Sequence, residues 1–212
     1  MNSNIIKFYL ITNRLKEKIR TGWINIGVSA ERLESVAEHV YGCAMLAIAL
    51  DSENELNLDM YKVLKMLCLH ELEETIMKDF TLRDMITKEE KDARGRQCVI
   101  KATEGLIKQE EIIELLDEYN GHSTRESIFC YHVDKIECLL QLKLYDLNEQ
   151  IEMKNILEDA NYYEKIGIYV KEKVQLPSDV WIEGDRGLFE DDPLFANLLN
   201  DIQELKKDDV NI

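Results

Sequence analysis

An all-α fold is predicted from three observations. Proline occurs only at Pro177 and Pro193, and the 212 residues hold 9 glycines, so little interrupts the backbone. The uninterrupted segments carry apolar residues three and four apart, the spacing of one helix face. Strand signals, meaning short runs of alternating apolar and polar residues, are weak throughout. About six to eight helices are expected.

The first helix is placed at about Ile5 to Lys18, with Ile6, Leu10 and Ile11 on one face. Arg20-Thr21-Gly22-Trp23 to Val28 reads as irregular. Ser29 is the expected cap of the second helix, which puts Glu31 and Arg32 in its first turns. Val36, Val40, Cys43, Ala44, Ala47 and Ile48 form that helix's buried stripe. Asp59 caps a third helix, with Val63, Leu64, Leu67 and Cys68 inward.

Thr87-Lys88-Glu89-Glu90 is a capping box. Its helix is expected to reach about Ile107, with Val99, Ile100 and Ala102 partly buried. Gln109 to Tyr119 is a short amphipathic segment, and Asn120-Gly121 marks a turn. Ser123 or Thr124 opens the next helix, which carries Phe129, Val133, Ile136, Leu140 and Leu144. Asn148 to about Lys171 is polar and helical. Gln175 to Pro193 holds Pro177, Gly184 and Gly187 among acids and reads as a long solvated loop. Pro193 to Leu205 is a last helix with proline at its start. No flexible linker divides the chain, so residues 1–150 are expected to form the main domain. Residues 151–212 are a C-terminal helical and loop extension packed on it.

A chain of 24.8 kDa can bury a core without disulfides. Its 26 basic and 42 acidic residues leave a net charge of -16, which repels polyanions. Nucleic acid and anionic membrane are thereby disfavoured as partners, whereas a small phosphorylated ligand held by a local Arg or Lys is not. No apolar run reaches the roughly 18 residues of a membrane span, and Met1 to Leu10 lacks the order of a signal peptide. Cys43, Cys68, Cys98, Cys130 and Cys138 are odd in number and form no CxxC. Buried free thiols in a reducing cytoplasm are the expectation.

The four histidines are His39, His70, His122 and His132. His39 follows Glu38 within a helical pattern. His70 ends the apolar run Met66-Leu67-Cys68-Leu69 and precedes Glu71, Glu73 and Glu74. Asp134 sits inside another apolar helix, as Val133-Asp134-Lys135-Ile136. Two imidazoles and one or two carboxylates on three helices can hold a divalent ion such as Mn, Co, Fe, Ni or Zn. Spacing alone equally allows satisfied helix histidines beside a solvated acidic face.

Several motifs in register carry a resemblance. They are Arg20-Thr21-Gly22-Trp23, then Arg32-Leu33-Glu34-Ser35-Val36-Ala37-Glu38-His39, then His70-Glu71-Leu72-Glu73-Glu74 followed by Asp79. Thr87-Lys88-Glu89-Glu90-Lys91 and Val133-Asp134-Lys135-Ile136-Glu137 complete the set. Over about Ile5 to Asp146 the chain resembles the HD-domain metal-dependent phosphohydrolases, in the branch that includes the 5'-deoxyribonucleotidases. The resemblance implies an HD-type helical bundle over 1–150, one divalent metal, and often a homodimer. Its implied ligands are His39, His70, Glu71 and Asp134. Glu71 stands where the family has Asp; the extra methylene changes the angle at which the carboxylate reaches a metal. Glu74 matches the acid that activates or positions the attacking water, while Glu73 is placed on the surface. Asp79 matches the residue that meets the sugar hydroxyls, although Lys78 replaces the family's preceding Gly. Arg20 falls at the phosphate-contacting position and Trp23 at a pocket tryptophan. Arg32 belongs to the same frame with a structural role. His122 and His132 receive none.

The implied reaction is hydrolysis of a small phosphomonoester, with nucleoside or deoxynucleoside 5'-monophosphates as substrates. A metal-binding or ligand-sensing protein with little turnover is the alternative that Glu71 raises. A helical dimerisation protein without chemistry is a third.

Overall fold

The computed structural model describes residues 3–77, 87–157, 174 and 176–210. Among these residues every regular element is helical, and the one β-type contact is an isolated antiparallel bridge between Ile19 and Ser35. The chain divides into two compact units. One contains Met1–Arg20 and Glu34–Asp134, the other Thr21–Leu33 and Lys135–Ile212.

In the first unit, α1 (Asn4–Thr12) runs into a 3-10 turn, Asn13–Lys16. Of the expected apolar face only Ile11 packs inward, with Phe8; Ile6 and Leu10 are 45% and 61% exposed. An extended stretch follows. The Val36 N–H donates to Lys18 O at 2.8 Å, and the Arg20 N–H to Glu34 O at 3.1 Å. This pairing delivers the chain to α3 (Val36–Glu53), capped by Ser35 and not by Ser29. The Glu38 N–H donates to Ser35 Oγ at 3.3 Å, and the Ser35 N–H to Glu38 Oε2 at 2.8 Å. The reason for the shift is the third residue of each candidate. Ser35 has Glu38 there, which closes the box, whereas Ser29 has Arg32, which cannot accept. Glu31 and Arg32 therefore lie outside the helix, both exposed. The buried face of α3 is Val36, His39, Cys43, Ala44, Ala47 and Leu50, and Ile48 is displaced to the surface at 46% exposure.

Asp59 caps α4 (Met60–Leu69) by accepting from the Lys62 N–H at 3.1 Å. Val63, Met66 and Leu67 are buried. Cys68 is exposed, because five residues beyond Val63 it lies about 140° round the helix. Cys43 and Cys130 are buried, Cys98 and Cys138 partly so, and none of the five is in a disulfide. The chain then turns through a 3-10 segment, Leu72–Thr75.

The Thr87–Glu90 box opens α5 (Lys88–Ala102), which stops short of Ile107. Thr103 Oγ bonds back to Val99 O at 2.8 Å, and Gly105 adopts φ +87°, a left-handed turn that ends the helix. α6 (Gln109–Gly121) continues through the expected Asn120-Gly121 turn, and the left-handed residue is His122, φ 44°. Leu72, Val99, Ala102, Ile113 and Leu116 form a core with Phe8, Ile11 and Leu69 against it. Full burial of each large side chain contributes about 1.5–3 kcal/mol. α7 (Arg125–Leu147) starts from reciprocal bonds between Thr124 and Ser127, of 3.0 and 3.2 Å. Its residues 125–134 belong to the first unit and 135–147 to the second. Phe129, Val133 and Ile136 are buried; further along, Leu139 and Leu142 take the inward places expected of Leu140 and Leu144.

The second unit contains α2 (Thr21–Asn25), the end of α7, α8 (Met153–Leu157), α9 (Pro177–Asp185) and α10 (Pro193–Glu204). Trp23, Ile26, Val28, Leu142, Tyr145, Ile151, Ile156 and Val180 form its core. The loop expected over 175–193 is instead α9 and a 3-10 turn, Arg186–Phe189. Pro177 is preset for the first helical turn, and Asp179 accepts from the Leu176 N–H at 2.9 Å. Val180, Ile182 and Phe189 are buried and anchor the segment. Of the expected helix over 148–171, α8 is the described part, and residues 158–173 lie outside the described residues.

Ser35→Ala should lower stability by about 1 kcal/mol, with Ser29→Ala costing less than about 0.5 kcal/mol. Urea denaturation followed by circular dichroism measures both; the reverse order would contradict the assigned cap.

Candidate metal centre

Three helices bring four polar side chains of the first unit together. α3 supplies His39 from its second turn, one residue beyond the capping glutamate. His70 is the C-cap of α4, and Glu71 follows it. Asp134 comes from the middle of α7. His39 Nε2 lies 3.0 Å from Asp134 Oδ1 and 3.3 Å from His70 Nε2. Glu71 Oε1 lies 3.7 Å from each of the two Nε2 atoms, and Asp134 Oδ1 lies 3.9 Å from His70 Nε2.

The hydrogen bonding directs lone pairs into this cluster. The His70 Nδ1–H donates to Leu67 O at 2.7 Å, so Nε2 carries the lone pair. Burial pushes the His70 pKa below its ordinary value, against the opposing pull of Glu71 and Asp134, and so favours a neutral imidazole. Tyr119 of α6 donates its hydroxyl to Asp134 Oδ2 at 3.3 Å. Burial first, then the Asp134 and Glu71 charges, pushes Tyr119 far above its ordinary range, so it stays a donor.

A lone pair and two carboxylates facing one another in a buried volume need a cation between them. Neighbouring donors on one ion with ordinary 2.0–2.2 Å bonds stand about 3–3.5 Å apart. The observed 3.0–3.9 Å separations are close to that, so the residues fit a divalent ion with nitrogen and oxygen donors.

Two neighbours of this cluster escape a reading of the sequence. Cys43, one turn along α3, places Sγ 3.6 Å from His39 Nε2. The donor atoms of His39, Cys43, His70 and Asp134 all lie within 4.8 Å of one another. The four-residue spacing from His39 was visible, but an apolar stripe explains a cysteine there equally well. Tyr119 had no signal, because a tyrosine on the buried face of an amphipathic helix is ordinary.

Glu74 is buried in the 3-10 turn, with Oε2 at 3.4 Å from Lys18 Nζ. Glu73, expected on the surface, is half-buried against α5, where a Cβ at Gly95 would overlap its carboxylate. Burial, then the Glu71 charge, pushes its pKa up to about 7. Arg20 ends the first unit's extended segment, and its Nη1 is a buried atom. Trp23 belongs to the second unit's core, 3% exposed and edge-on to Tyr145 at 5.4 Å between ring centres. Asp79 lies outside the described residues. His132 is buried, and the His122 ring lies tilted against Tyr131 with ring centres 4.1 Å apart.

Residues 12–173 match the HD domain family model. The 5'-deoxynucleotidase of Dictyostelium discoideum is 34% identical over 212 residues, covering 97% of this chain and 100% of the relative. That of Schizosaccharomyces pombe is 32% identical over 149 residues, 68% of this chain and 73% of the relative. A solved structure from Pyrococcus horikoshii OT3 superposes with a TM-score of 0.62 at 25% identity, covering 95% of this chain and 99% of that one.

The raised Glu73 pKa has a definite sign. The unfolded side chain ionises near 4.5 and the folded one near 7, so stability falls as pH rises through that window. In metal-free protein Glu73→Gln should stabilise by about 1–3 kcal/mol at pH 8 and leave stability unchanged at pH 4. Denaturation at the two pH values measures this; equal effects at both would contradict the assignment.

Proposed function

The chain belongs to the HD domain family, and on that premise we propose that it is a metal-dependent phosphohydrolase of nucleoside 5'-monophosphates, with deoxynucleotides preferred. The observation that carries this reading is the convergence of His39, His70, Glu71 and Asp134 donor atoms at 3.0–3.9 Å. These four residues would hold one divalent ion. Mn, Co, Ni, Fe or Zn suits a donor set of two imidazoles and two carboxylates. Glu71 Oε1 is equidistant from both imidazole nitrogens, so its extra methylene gives no ground to prefer a turnover-free sensor.

When bound, the ion supplies Lewis acidity, which makes water nucleophilic at neutral pH and offsets charge on the phosphate. Glu74 orients the attacking water and takes its proton. Arg20 holds phosphate oxygens through its guanidinium fork. Asp79 accepts from the sugar hydroxyl and Trp23 lines the nucleoside side, both carried on the family resemblance. The products are a nucleoside and inorganic phosphate. Catalysis is assigned to residues 1–150, with 151–212 as an accessory extension. No helix of the described residues is long and apolar enough to cross a membrane. A cytoplasmic homodimer that binds neither nucleic acid nor membrane is the setting we propose.

Protein stripped of metal and reloaded with each ion should release phosphate from a panel of nucleoside 5'-monophosphates. Glu74→Ala should lower kcat by about 100-fold or more. A folded, metal-binding protein that releases no phosphate with any ion would overturn the reading. Glu71→Asp should give an equal or lower rate, because the surrounding helices are built for glutamate. A tenfold rise would mark the natural site as degraded.

A further inference from the structure

The 3-10 turn that carries Glu74 is held by a residue outside the family motifs. Lys18 lies on the extended segment bridged to Ser35, two residues before Arg20, so both side chains leave from one face of the strand-like backbone. Its backbone is fixed from outside: Lys18 O accepts from the Val36 N–H at 2.8 Å, at the start of the helix that carries His39. The ammonium has three donors, and three acceptors surround it. They are Glu74 O at 2.9 Å, Met77 O at 2.7 Å and Glu74 Oε2 at 3.4 Å. The pair is well shielded, with side-chain exposures of 22% for Lys18 and 10% for Glu74.

Resting on the function assigned above, we propose that Lys18 is a positioning residue for the reaction. It grips the main chain and the carboxylate of Glu74 at once, and so fixes the direction in which that carboxylate meets the water. The bond to Met77 O closes the same turn at its far end, ahead of residues 78 and 79. Two of its donors go to main-chain oxygens and its charge pairs with the Glu74 carboxylate, so the removal of Lys18 acts on the chemical step and not on binding. A misplaced catalytic group costs up to about a hundredfold even when the shift is only about 1 Å.

The test measures cobalt affinity by calorimetry together with steady-state phosphate release from deoxynucleoside 5'-monophosphates, on the full chain. Lys18→Met should lower kcat about 10- to 100-fold, with KM and cobalt affinity within threefold of wild type. Lys18→Arg, which keeps the charge and several donors, should recover at least a third of wild-type kcat. In a Glu74→Gln background Lys18→Met should cost less than threefold. If Lys18→Met does not fold, Lys18→Gln is read by the same criteria. An active wild type matched within threefold by Lys18→Met would overturn this inference alone, as would a loss confined to KM or cobalt affinity. A wild type that binds cobalt but releases no phosphate would overturn the assigned function and this inference with it.

Discussion

The organisation of the first unit depends on one electrostatic constraint. Two carboxylates are each brought within 3.9 Å of two imidazoles in a largely buried volume, where uncompensated charge is expensive. Such a cluster persists only if its members are held from behind. His70 is tied to Leu67 O, Asp134 to the Tyr119 hydroxyl, and His39 follows directly from the capped first turn of α3. The supports come from the elements that build the fold, so helix capping and site geometry are one problem. A helix slipped by a residue at Ser35 would rotate His39 by about 100°.

The charge balance gives the local cations their weight. A chain of net charge -16 repels a phosphorylated ligand at long range. In the proposed reaction, attraction therefore comes from close groups: the ion that the cluster would hold, and Arg20. Lys18 leaves the same extended segment but turns to the 3-10 turn, spending its donors on Glu74 and Met77. In that proposal one short bridged stretch serves both the ligand side and the carboxylate of Glu74.

Where the sequence was legible, the determinants were short-range. Asp59 and the Thr87–Glu90 box cap the helices they were expected to cap. His39, His70, Glu71 and Asp134 were named from motifs, and they do come together. Other features were hidden because neighbours in the chain do not determine them. Ser29 and Ser35 are both good capping residues, and the reciprocal acceptor at Glu38 chose between them. The stretch over 175–193 has the composition of a loop, yet Val180, Ile182 and Phe189 find a core that makes a helix there stable. Glu73 looks like a surface acid in sequence but packs against Gly95 of α5.

By itself, then, the sequence determined the helical class, most helix starts and the identity of the candidate ligands. Periodicity and caps act within a turn or two, and motifs preserve residue type. Only the tertiary structure decided that a glutamate reaches both imidazoles, that Tyr119 and Cys43 adjoin the cluster, and that Lys18 holds Glu74. Most of these arrangements bring together residues far apart in the chain, 56 positions in the case of Lys18 and Glu74 and 95 in that of His39 and Asp134. Their distances follow from how whole helices pack, which local pattern does not encode.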